Sequence, residues 1–121
     1  MNRILPIALC IFICSSCVGA SSVNELKNNP GYSKSVKSKY GYQESLKIVK
    51  DEHAALLGYD LSCTIFPDMK MGECTFTGVN GIAQVISAKY IDESSALVEF
   101  YIASPIGFGE RNVNHIAAKL Q

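Results

Sequence analysis

Cys63 and Cys74 are the pair whose spacing says most about chemistry. Ten residues separate them, which is not the CxxC arrangement of zinc or redox sites. The chain has five cysteines. The other three, Cys10, Cys14 and Cys17, fall in a leading segment with the layout of an export signal. Cys10 and Cys14 leave with that signal, and Cys17 either leaves or carries a lipid. An even pair then remains in an oxidising compartment, which reads as one disulfide between Cys63 and Cys74.

The other candidate groups are fewer. His53 falls on an apolar helical stripe, where a buried titrating group or ligand would sit. The plainer reading is a core-edge histidine bonded to backbone. Glu52 precedes it in sequence but points elsewhere on the helix, so the two form no dyad. His115 lies off its own helix's apolar stripe, and with two histidines far apart there is no HxxxH grouping. Asp60, Asp68, Glu73 and Glu99 are carboxylates whose pairing only a fold would reveal. No serine sits in a GxSxG turn, Gly107-Phe108-Gly109 is not GxGxxG, and no Walker loop is present. The expectation is a non-enzymatic protein with no cofactor and no metal.

The compartment follows from residues 1–20. Arg3 gives a positive start, Ile4 to Cys14 is an uncharged apolar run, and Ser15 to Ala20 is a small-residue stretch. This is the layout of a signal peptide. A membrane-spanning helix needs about twenty apolar residues, more than this run offers. Two cuts compete. One falls after Ala20, with Val18 and Ala20 as the selected small residues, and gives a periplasmic or secreted protein. The other makes Cys17 a lipidated first residue, since Ser15-Ser16-Cys17 is similar to the end of a bacterial lipobox. Cys14 departs from the Leu, Val or Ile usual three positions earlier. That route gives a membrane-anchored lipoprotein.

Charge excludes little but points away from nucleic acid. The full chain carries 11 basic and 11 acidic residues. They are unevenly placed: residues 21–42 hold Lys27, Lys34, Lys37 and Lys39 against Glu25, ahead of an acidic body. That lead segment reads as a flexible basic arm with interleaved tyrosines, able to touch anionic headgroups or to fold back on the acidic body.

Residues 43–121 read as a single α+β domain. Gln43 to Leu57 is a helix with Leu46, Val49, His53 and Leu56 on one face, and Gly58 stops it. Tyr59 to Phe66 and Met71 to Gly78 are strands around Pro67-Asp68-Met69-Lys70. Cys63 then faces Cys74, on the same side as Leu61 and Phe76. Asn80-Gly81 is a tight turn, Ile82 to Ile91 the next strand and Ala96 to Ala103 its return. Pairing Ile91 with Ala96 sets Val85 opposite Ile102 and Ser87 opposite Phe100. A last helix, capped by Asn112, buries Val113, Ile116, Ala117 and Leu120. The predicted architecture is two-layered, with the main helix and the short C-terminal helix on one face of a four-stranded antiparallel meander.

Three functions follow as expectations. The first is an envelope or periplasmic binding module of inhibitor, immunity or assembly-chaperone type. It would meet a protein partner through the Leu97-to-Ile102 strand, with Leu97, Glu99 and Tyr101 as candidate interface residues. The second is a structural lipoprotein anchored at Cys17. The third is a small hydrolase or ligand-binding domain with a pocket near His53.

Overall fold

The computed structural model describes residues 19–104 and 109–121. Most of the segment expected to be an export signal, including Cys17, and the greater part of the Pro/Gly connector after Ser104 lie outside them. The described chain is α+β, with an antiparallel sheet of five strands rather than the expected four. In chain order the elements are α1 (Val23–Asn28), β1 (Tyr32–Ser38), α2 (Tyr42–Leu57), β2 (Ser62–Phe66), β3 (Met71–Gly78), β4 (Gly81–Asp92), β5 (Ser95–Ile102) and α3 (Gly109–Leu120), with a 3-10 turn at Pro67–Met69. The sheet order is β1-β5-β4-β3-β2.

The added strand is β1, inside the segment expected to be a flexible arm. Its burial alternates as a strand requires: Val36 and Ser38 are buried while Ser33, Ser35 and Lys37 are exposed. What disguises it is the inward set. Lys34 reaches inward to donate to Asn114 Oδ1 of α3 at 2.7 Å, and the buried Ser38 and Ser45 hydroxyls share a 2.7 Å hydrogen bond. Polar pairing with the helices replaces the aliphatic residues that mark most strands.

The hairpin of β2 and β3 has the expected register, with Cys63 opposite Cys74 and Ser62 opposite Thr75. The β4–β5 register differs from expectation by one residue. Asp92 pairs with Ser95, but Tyr90 pairs with Ala96, so Ile91 is an inserted bulge residue, 44% exposed. Ile86 therefore faces Phe100, and Val85 faces Tyr101. The shift brings Ile86, Phe100, Val98 and Ile102 onto one face, where they pack with Leu46 and Val49 of α2 and Val113, Ile116 and Leu120 of α3.

Helix α2 ends as expected at Gly58, in the left-handed region (φ 74°), whose N–H donates to Ala54 O. Leu46, Val49 and His53 are buried, but Leu56 is 40% exposed and leaves the stripe. The helix lies so close to the sheet that a Cβ on Gly72 of β3 would run into the Leu46 side chain. Helix α3 begins at Gly109, so Asn112 is inside it instead of capping it, while the stripe of Val113, Ile116, Ala117 and Leu120 is buried.

The helices do not all share one face. Short α1 sits on the far side of the sheet. Its single buried residue is Leu26, and Lys27 bonds to Glu73 at 2.6 Å, which projects from β3 away from Cys74. Helix α1 packs against β4 and β5, and Val85 of β4 is fully buried on that far side.

Candidate protein interface

The Cys63 and Cys74 sulfurs are bonded across the β2–β3 pair, and Cys74 is fully buried. His53 is 1% exposed. Its Nδ1 lies 3.0 Å from the carbonyl oxygen of Tyr59, which only accepts, so Nδ1 carries the proton of the neutral ring. The ring packs beside Phe76 at 6.0 Å between centroids. Burial pushes the His53 pKa down, against the opposing pull of the Tyr59 carbonyl and the Asp60 charge. Among the described residues no three His, Cys, Asp or Glu side chains gather into a metal-binding group.

Leu97, Glu99 and Tyr101 do share a face, the far face of the sheet that α1 half covers. Their strand is internal, however, with β1 on one side and β4 on the other, so it offers no edge to a partner. Its face is tied up in polar contacts. Lys89 pairs with Glu99 at 3.0 Å, and the Tyr101 hydroxyl donates to Glu99 at 3.1 Å. Burial works against the Glu99 carboxylate, but the bonds from Lys89 and Tyr101 outweigh it and hold its pKa below the usual value. Burial and then the bond to Glu99 push the Tyr101 phenol up.

Across α1 from that patch the far face carries a hollow that apolar and polar side chains share. Val23 and Lys27 of α1, Phe66 and Met69 of the hairpin tip, and Met71 and Glu73 of β3 line this hollow of about 420 Å³. Phe66 is 39% exposed and Met69 68%. The hollow's Phe66 wall is the last residue of β2, one of the two edge strands of the sheet. The Cα atoms of Cys63 and Cys74 are 4.0 Å apart, the close spacing of a non-hydrogen-bonded antiparallel pair. In that register the N–H and C=O groups of Cys63 and Ile65 point outward from the sheet. No charged residue lies within Ser62–Phe66, and Ile65 is 37% exposed. An unguarded edge of this kind is a template for another strand.

Two smaller hollows carry other chemistry. One, of about 300 Å³, lies between Tyr42, Tyr90, Asp92 and Glu93 at the start of α2. Another, of about 370 Å³, lies between Asp68, Lys70, Lys89 and Tyr90. His53 lines none of the three.

The sequence reading missed Phe66 and Met69. Both were visible as large apolar residues at a hairpin tip, but their exposure follows from β2 being the sheet edge and from α1 lying across the far face, and neither is a local property of the sequence. Comparison with family models, with curated proteins and with solved structures finds no match.

Proposed function

We propose that this chain is an exported, non-enzymatic binding module that receives an extended, apolar segment of another envelope protein along β2. The observation that carries this reading is the continuity between the open edge and the hollow. The outward N–H and C=O groups of Cys63 and Ile65 would pair with the incoming backbone. Phe66, Met69 and Met71 would then cover its apolar side chains. Methionine suits such a surface because its unbranched thioether adapts to different shapes. The disulfide, which bonds the edge strand itself to its inner neighbour, holds β2 on β3 while β2 accepts a second neighbour. The partner surface therefore moves from the Leu97–Glu99–Tyr101 patch to the hairpin tip.

The test compares three single variants in cross-linking on envelope extracts: Met69→Lys, Phe66→Asp and Val79→Lys. Val79 is fully exposed and lies at the β3–β4 turn, so it serves as the control. The expected result is one cross-linked partner kept by the wild type and Val79→Lys and lost, by roughly tenfold or more, in the other two, with unchanged melting temperatures. Equal cross-linking by all four proteins would remove this surface. A fourth variant, Tyr101→Asp, is the counter-test: loss in it alone, with the fold intact, would return the interface to the patch on β5.

A further inference from the structure

The structure takes the chain at Gly19 and Ala20 and builds them into the sheet. Past Gln84↔Ile102, the last pair of β4 with β5, the open side of β4 is taken by Ala20. Ala20 N–H donates to Ile82 O at 2.9 Å, and Ile82 N–H donates to Ala20 O at 2.8 Å. The two glycines beside this pair let the backbones touch. A Cβ on Gly19 would lie 2.8 Å from the carbonyl carbon of Gly81 and 2.8 Å from Ile82 O. A Cβ on Gly81 would lie 2.7 Å from Ala20 O, and Gly81 also holds φ +126°, which side chains rarely adopt. Both contacts are with backbone, which cannot swing aside.

From this we infer that Gly19 and Ala20 belong to the mature domain, so the export signal is cut before Gly19 and not after Ala20. The inference rests on the export reading of the leading segment. A cut after Ala20 would discard both hydrogen bonds to Ile82 and leave the N–H and C=O of Ile82 without their backbone partners. It would also remove the backbone that the missing side chain of Gly81 lets in so close. A cut upstream keeps the bridge, and it delivers the chain directly into α1, whose first turn is capped by the Ser22 hydroxyl accepting from Glu25 N–H. A cut that makes Cys17 the first residue satisfies this condition.

Gly19→Val provides the discriminating variant. Residue 19 lies between Val18 and Ala20, the two small positions that the competing cut selects, and leaves both unchanged. Expressed as the full chain and purified after export, Gly19→Val should melt lower than the wild type by roughly 4–8 °C, the scale of two weakened backbone hydrogen bonds in a domain this small. The companion measurement is the intact mass of the native protein. A first residue at Cys17, Val18 or Gly19, with or without lipid, together with the lowered melting temperature, supports the inference. A chain beginning at Ser21 whose melting temperature ignores Gly19→Val overturns it and leaves export intact. An uncut chain overturns the export reading itself.

Discussion

His53 shows how one side chain sets a pH limit on the fold. Its place on the apolar stripe of α2 was legible from the helical period. Its partner was not, because the Tyr59 carbonyl reaches it only after the chain reverses through the left-handed Gly58. Burial favours the neutral ring and so lowers the folded-state pKa below the ordinary 6.5. Stability from this group is then fully present above 6.5 and is lost as pH falls through the lowered folded-state value, since the unfolded chain binds the proton first. Thermal melts from about pH 7.5 to about pH 5 should show a falling melting temperature. His53→Gln keeps a donor for Tyr59 and cannot be protonated. It should start from a lower melting temperature and lose less of it over that range. An identical slope in both proteins would mean that other groups carry the pH response.

At the scale of elements, legibility depended on whether two local signals agreed. The β2–β3 register was readable because the cysteines and the apolar residues selected the same alignment. The β4–β5 register was not, because the bulge at Ile91 inserts one residue that no pattern announces, and both faces of these strands carry apolar residues. Strand β1 escaped notice for a different reason: its inward Lys34 and Ser38 are satisfied by Asn114 and Ser45, partners that only tertiary structure supplies. The hairpin yields a quantitative expectation. The disulfide closes a loop with a sequence separation of 11, so removing it as the double variant Cys63→Ser, Cys74→Ser should cost about 2–3 kcal/mol in urea unfolding. A cost near zero would mean that the hairpin is already closed in the unfolded chain, by the tight turn at Pro67–Met69.

For the whole molecule, the decisive arrangement is that β1 and β2, consecutive strands joined by α2, lie at opposite edges of the sheet. Helix α2 must therefore cross the whole near face, and α3 completes that layer by packing beside β1, where Lys39 N–H donates to Leu120 O at 2.9 Å. The far face has a thinner cover. Helix α1 has six residues and one buried side chain, Leu26, too few to hold a helix without tertiary packing. It nonetheless packs against β4 and β5 and walls the hollow beside Phe66 and Met71. Leu26→Ala should therefore release α1 without unfolding the sheet. In hydrogen exchange, the amides of α1 and those of Ala20 and Ile82 should lose protection, while β5 and the part of β4 from Gln84 on, paired on both sides, keep the slowest exchange. Partner binding should fall with α1, because the hollow loses a wall although the β2 edge stays intact. If exchange instead rises evenly through β4 and β5, with a stability loss of about 2–5 kcal/mol, then α1 belongs to the cooperative core. The domain would then be a three-layer unit from Ala20 onward, and cutting the chain at Ser21 would weaken all of it.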